Sequence, residues 1–384
     1  MKVVIIMMLI FGSLVAKAAE QQQDLLVHKK ISDHFYLLLD GDGANIGVII
    51  GDDGILLVDT LLPAANQYLL QEIRKISDKP IKYVVNTHNH QDHSGGNQFF
   101  AKMGATIIFQ ENAIYGQNAA YSDDNTVNYS HLSFKNKFSL NYGGEEMRVH
   151  HESIHTFDDA IIYFPDANIL FTGDIYNNNW LPMFGTDGVA GMNKVIDSML
   201  EMINEETIVV PGHGDVGGKQ LLRVFRRLCS DWISRLNKLR KKELSIDLIV
   251  EDKELNLIIQ QFLGVKENAG IDAGRFKRFV SRVVKDSSNE SKPPYSIELD
   301  KLSLYTGHYQ LDDNTQVEIF QDKGKLYVRK PVEFMAQLLP RSVTHLNFAG
   351  RTVKGHFSFK FNKAGEIENV MMVRQGESYQ VKKL

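Results

Sequence analysis

The chain has 384 residues, enough for two or three domains with cores of their own, and its composition is that of an ordinary globular protein. A net charge of −4 from 43 basic and 47 acidic residues supplies no basic field for nucleic acid, so no such partner is expected. The single cysteine, Cys229, rules out an internal disulfide, so packing has to stabilise the fold without one.

Residues 1–18 combine Lys2, an apolar run over 3–15 and Ala16-Lys17-Ala18 as a small-x-small cleavage site, the pattern of a secretory signal peptide. The run is too short for a stable membrane anchor, so the expected product is exported, periplasmic or secreted. Residues 35–39, 45–50 and 55–59 read as three strands joined by Gly-Asp turns, and 61–77 as a helix stopped before Pro80. A buried strand over 81–86 then runs into Thr87-His88-Asn89-His90-Gln91-Asp92-His93, four potential metal ligands in six residues. Alternate side chains of an extended segment share a face, so His88 and His90 can reach one ion, while Asp92 and His93, past the bend, can reach a neighbouring one.

Downstream, 106–109 reads as a strand, 111–120 as a short helix, and 121–136 as a polar loop carrying Tyr121, Tyr129 and Phe134 that can wall a cleft. Three further apolar strands or strand pairs flank or deliver metal-type residues: His155 lies before strands at 160–164 and 168–171, the second of these runs into Thr172-Gly173-Asp174, and 207–210 leads to Pro211-Gly212-His213-Gly214. Asp59 closes its strand and reads as a helix N-cap. The segment 177–184, with Trp180, Leu181, Met183 and Phe184, either lines a substrate pocket or plugs against the helix that follows.

The H-x-H-x-D-H string, followed in order by His155, Asp174 and His213, resembles the metallo-β-lactamase superfamily over residues 27–214. The resemblance implies an α/β fold, an αββα sandwich, with His88, His90 and His155 on one metal, Asp92, His93 and His213 on a second, and Asp174 bridging them. It also implies that Asp59 supports the histidine loop, a role compatible with an N-cap. Imidazole and carboxylate donors suit two Zn2+, and iron or manganese are compatible with the same set. Two ions about 3.5 to 4 Å apart share a water whose pKa falls to about 7, giving a hydroxide nucleophile that Asp92 orients. The expected reaction is hydrolysis of a small carbonyl substrate: ester, lactone, thioester or lactam. Antibiotic-hydrolysing classes of the superfamily carry a cysteine at the position of Asp174 and a lysine three residues later, where this chain has Asn177. The bridging aspartate is similar to that of glyoxalase II and lactonases, which favours a general hydrolase, with a β-lactamase as the first alternative. An iron-dependent persulfide dioxygenase-like oxidoreductase is the second.

Beyond Gly214 the likeness fades. Leu221, Phe225, Leu228, Trp232, Leu236 and Leu239 recur at helical spacing in a helix over 218–243, with Cys229 in the apolar stripe, and helices over 252–263 and 273–284 complete an extension at 215–286. A polar, proline-ended linker at 287–297 precedes a small antiparallel β domain at 298–384, with strands at 317–320, 325–329, 344–348, 355–361 and 370–374. Tyr305-Thr306-Gly307-His308-Tyr309 at its start resembles a β domain appended to exported β-lactamase-related hydrolases. Nothing in the sequence specifies an oligomeric state.

Overall fold

The computed structural model describes residues 26–40, 43–115, 130–184, 188–265, 273–286, 295–312, 315–330, 333–349 and 354–384. The expected leader, the tyrosines Tyr121 and Tyr129, and linker positions 287–294 lie outside them. Among the described residues, no helix is long and apolar enough to cross a membrane.

Period-two burial builds the first half of the molecule. Strands β1 (Leu26–Lys30), β2 (Phe35–Asp40), β3 (Ile46–Ile50), β4 (Ile55–Val58), β5 (Ile81–Val85), β6 (Thr106–Gln110) and β7 (His131–Phe134) form one sheet in chain order. The first four are antiparallel, and β4 to β7 are parallel. A second sheet holds β8 (Lys137–Tyr142), β9 (Glu145–His151), β10 (Ala160–Phe164), β11 (Ile169–Phe171), β12 (Ile208–Val210) and β13 (Gly217–Gly218). Leu56 and Val58 of β4 point between the sheets, where they join Val85, Ile108, Ile162 and Phe171. Their neighbours Ile55 and Leu57 point the other way, onto Leu69 and Ile73 of helix α1 (Asn66–Arg74) and Phe100, which lies in α3 (Asn97–Lys102) beyond the single turn α2 (Gln91–Ser94). Successive side chains of a strand face opposite sides, so strands buried on both faces read as unbroken apolar runs.

The outer face of the second sheet is covered by α4 (Gly188–Met202), α5 (Lys219–Arg240), α6 (Ile246–Val250), α7 (Lys253–Phe262) and α8 (Ala273–Asp286). Leu170 and Val209 of that sheet share one core with Met192, Phe225, Trp232, Ile259 and Phe279, so the layers run helix, sheet, sheet, helix. Asp252 caps α7 by accepting from Leu255 N–H at 2.9 Å, and its carboxylate also binds Arg235. The basic residues Arg223, Arg226 and Arg227 of α5 pair with Glu205, Asp197 and Asp231 on the surface. Cys229 is fully buried, and burial pushes its thiol well up.

Several expectations need correction. Leu221 is 40% exposed while Leu222 is fully buried, because the stripe facing the sheet enters α5 one residue later than the spacing suggested. The expected helix over 111–120 is a short 3₁₀ turn, Glu111–Tyr115, with 116–120 outside the described residues. Phe134 does not belong to a surface loop; it ends β7 and is buried between the sheets, since β6 offers β7 a parallel edge.

The C-terminal strands close into an eight-stranded antiparallel barrel: β14 (Gly307–Asp312), β15 (Thr315–Asp322), β16 (Lys325–Lys330), β17 (Phe334–Ser342), β18 (His345–Ala349), β19 (Gly355–Phe361), β20 (Ile367–Arg374) and β21 (Glu377–Lys383). Tyr309 pairs with Lys383 to complete the ring. Tyr305 and Tyr309 are buried in its core; Tyr305 donates to Val343 O and Tyr309 to Tyr305 O, so both hydroxyls are satisfied.

Candidate metal centre

Four strand ends bring the candidate donors to one side of the sandwich. β5 is parallel to β4 and β6, and its last buried valines hand the chain to the histidine string. His88 and His90 lie on an extended stretch, with His88 Nε2 3.1 Å from His90 Nδ1. The chain then turns into α2, with His90 as its N-cap in extended geometry, and this turn carries Asp92 and His93 away from the first pair.

His155 follows β9 on a loop tied down from within. Asp159 accepts backbone hydrogen bonds from Ile154, His155 and Thr156, and one from the Thr156 hydroxyl. Burial pushes its carboxyl up to about 7 against the pull of those donors. His155 Nε2 comes within 3.0 Å of His90 Nδ1. Asp174 sits in the 3₁₀ turn Gly173–Ile175 after β11, and His213 follows β12. Gly212 lies so close to Asp174 that a Cβ there would stand 2.2 Å from Oδ1, so only glycine lets the two loops approach. Asn45 donates to Pro211 O and Gly214 O, and Asn177 Oδ1 accepts from His213 N–H at 2.8 Å, fixing the backbone of this loop.

The seven candidates fall into two clusters: His88, His90, His155 and Asp174, and Asp92, His93 and His213. Asp174 touches both. Its Oδ2 is 3.4 Å from His155 Nε2 and 4.0 Å from His88 Nε2, while its Oδ1 is 3.3 Å from His93 Nε2 and 3.4 Å from His213 Nε2. Asp92 Oδ2 lies 3.2 Å from His213 Nε2.

These groups fit divalent cations on chemical grounds. Asp174 Oδ1 is buried without a hydrogen-bond partner, and imidazole nitrogens face one another in pairs, with His93 Nε2 3.3 Å from His213 Nε2. Buried polar atoms are left so only where something else satisfies them. Burial, reinforced by the neighbouring histidines, holds His88 well below the ordinary imidazole value and His155 at about 4, so both keep a free lone pair. Burial also opposes charge on His93, but Asp174 and Asp59 outweigh it and hold that imidazole well above the usual value. The field between the clusters therefore favours positive charge. The far nitrogens are steered as ligands require: His93 Nδ1 is 2.8 Å from Asp59 Oδ2, and Thr87 Oγ1 is 3.2 Å from His88 Nδ1. Asp59 also accepts from Thr87 N–H and Oγ1–H, and it caps no helix, which resolves its two possible roles.

Residues 39–124 match the family model of the metallo-beta-lactamase superfamily. Over that stretch the chain is similar to metallo-beta-lactamase superfamily proteins. A probable hydroxyacylglutathione hydrolase of Schizosaccharomyces pombe is 31% identical over 144 residues, 36% of this chain and 52% of the relative. Metallo-beta-lactamase IND-1 of Chryseobacterium indologenes is 25% identical over 213 residues, 52% of this chain and 87% of the relative. The chain thus spans about half the length of the first of these relatives. Among solved structures, the stereoselective inverting sec-alkylsulfatase Pisa1 from a Pseudomonas species superposes with a TM-score of 0.52 at 19% identity, over 70% of this chain and 52% of that one, a likeness of fold.

Access to the clusters is uneven. The Asp92 side chain is 36% exposed, while those of His88, His93, His155, Asp174 and His213 are at most 8% exposed, so solvent reaches the centre past Asp92. Two residues of the 177–184 segment plug against the helices, as one of its expected roles has it. Leu181 and Phe184 are buried in the helical core, with Phe184 against Phe279, whereas Trp180 stacks on His213 at 5.2 Å beneath the guanidinium of Arg275. Six of the other histidines make contacts elsewhere: His28 with Glu72, His34 with Glu145, His131 with Phe109, His151 with Phe157 O, and His345 with His356. Sequence reasoning missed Asn45, Thr87 and Asp159, whose partners are backbone groups and side chains brought together by the fold and which have no spacing signature.

Proposed function

We propose that the chain is an exported, binuclear zinc-dependent hydrolase of a small carbonyl substrate. The observation that carries this is Asp174, one oxygen of which faces each cluster, so that two ions held by His88, His90 and His155 and by Asp92, His93 and His213 would share it. Iron or manganese suits the same donors. Bound there, the metal supplies a Lewis acid and lowers the pKa of water to about 7.

The chain's own residues do the rest. Burial opposes charge on Asp92, but a hydrogen bond from His213 and the nearby His93 bring its carboxyl down to about 2. It is therefore an acceptor at every working pH and orients the attacking water at the open side of the centre. Asp59 holds His93 with Nε2 toward Asp174. Trp180 and the inward-facing Asn177 hold His213.

An ester, lactone or thioester is favoured over a lactam. Asp174 stands where antibiotic-hydrolysing classes have cysteine, Asn177 is buried against the His213 backbone, and a relative named for hydroxyacylglutathione hydrolysis is the more similar in sequence. The second reading, β-lactam hydrolysis, draws on the alignment that covers 87% of IND-1. In this reading the leader at 1–18 directs export to the periplasm or medium without a stable membrane anchor. Residues 27–214 form the catalytic unit, 215–286 its helical extension, 287–297 a linker and 298–384 an accessory domain. Metal content of the mature protein, with turnover of a thioester, a lactone and a chromogenic cephalosporin, tests it. About two zinc ions with thioester or lactone turnover is the expected result; one iron and no hydrolysis overturns it, and rapid cephalosporin turnover moves the second reading to first place.

A further inference from the structure

The barrel meets the sandwich at the back of the centre. Arg329 of β16 reaches across: its guanidinium lies over the rings of Phe320 and Tyr115, donates from Nε to Glu318, and donates from Nη1 to Asn112 Oδ1 at 3.1 Å. Two neighbours extend the contact. Tyr327 packs edge-on against Phe157, and Lys323 reaches Glu152.

Asn112 and Tyr115 belong to the 3₁₀ turn Glu111–Tyr115, which touches both segments that carry the histidines of the first cluster. Asn112 Nδ2 donates to Phe157 O at 3.1 Å, two residues beyond His155, and His151 Nε2–H donates to the same carbonyl. Asn89, between His88 and His90, donates from Nδ2 to Ala113 O in the same turn. Asn112 is buried, with both ends of its amide engaged, one by the barrel and one by the ligand loop.

We propose that the barrel is a positioning element for the first cluster, with Arg329 bracing the 3₁₀ turn and Asn112 passing that restraint to the loop that presents His155. This rests on the reading of His155 as a metal ligand. A buried amide that spans two partners has no slack: its loss frees a carbonyl on one side and a guanidinium on the other. Arg329 suits the task because a planar guanidinium can stack and donate at the same time.

The test uses the full-length mature chain and three variants. Asn112→Asp keeps an acceptor for Arg329 but cannot donate to Phe157 O, so it separates docking of the barrel from restraint of the loop. Arg329→Gln weakens the docking itself. His155→Ala reports on the ligand reading. Amide hydrogen exchange is followed in the metal-free protein, and zinc affinity by competition with a chromogenic chelator. Both bracing variants are expected to exchange residues 151–159 at least tenfold faster, with protection inside the barrel core unchanged, and to bind the weaker zinc about tenfold less tightly. Unchanged exchange over 151–159 in both variants, with wild-type zinc affinity, overturns the proposal and makes the barrel a passenger. Faster exchange throughout the barrel core also overturns it, since the effect would then be general loosening. Full zinc stoichiometry in His155→Ala overturns the ligand reading and the proposal with it.

Discussion

Replacing Asp59 with asparagine tests how the centre is held. Asp59 is 2% exposed and has φ of 63°, a conformation asparagine tolerates better than most residues, so the backbone is expected to keep its path. Oδ1 accepts from Thr87 N–H at 2.8 Å, and an amide oxygen can do the same. Oδ2 lies 2.7 Å from Thr87 Oγ1 and 2.8 Å from His93 Nδ1, and an amide NH₂ in its place donates where the carboxylate accepted. His93 Nδ1 must then give up its proton, which moves to Nε2, the nitrogen 3.3 Å from Asp174 Oδ1. A protonated Nε2 cannot ligate. Loss of such a partner behind a ligand weakens metal binding about 10- to 100-fold, equivalent to ~1.4–2.8 kcal/mol. Chelator competition reads the affinity, and the ¹⁵N shifts of the ring nitrogens read the tautomer. Wild-type affinity with the proton still on Nδ1 would refute the reasoning.

Gly212→Ala is expected to displace Asp174, because the new Cβ would stand 2.2 Å from its Oδ1; metal stoichiometry falls below two, and full occupancy would contradict the packing argument. Leu222→Ala should cost ~2–5 kcal/mol in urea unfolding while Leu221→Ala stays within about 0.5 kcal/mol, since only Leu222 is buried. Asp252, whose pKa Arg235 lowers, stabilises the fold above its unfolded value near 3.8 and loses that contribution as pH falls through its folded value. Asp252→Ala should therefore cost ~1 kcal/mol at neutral pH as a lost helix cap, with the gap to wild type closing in acid; a gap independent of pH would refute the assignment.

The candidate donors were legible because a short apolar strand lies next to each donor segment, so local pattern and tertiary position coincide. Their supports were not legible. Asn112 and Asp159 matter only because the fold brings backbone carbonyls and amides to them, and neither position breaks any local pattern. Among the strands that escaped notice, three share a physical reason. β8 alternates exposed and half-buried residues, β17 contains Pro340, and β21 is mostly polar; all three gain their place from neighbours across the ladder. Leu221 and Leu222 show the limit of helical periodicity, where a register error of one residue moves a side chain from core to water.

Ring closure in the C-terminal domain leaves no first or last strand. β21 is bonded to β20 on one side and to β14 on the other, so the last stretch of chain is a stave rather than a tail. A stop or proteolytic nick before Glu377 would bare two long rows of unpaired amides and carbonyls at once, the surface on which strands of separate molecules add to one another. Premature termination by eight residues should therefore show itself as aggregation before it shows itself at the metal centre.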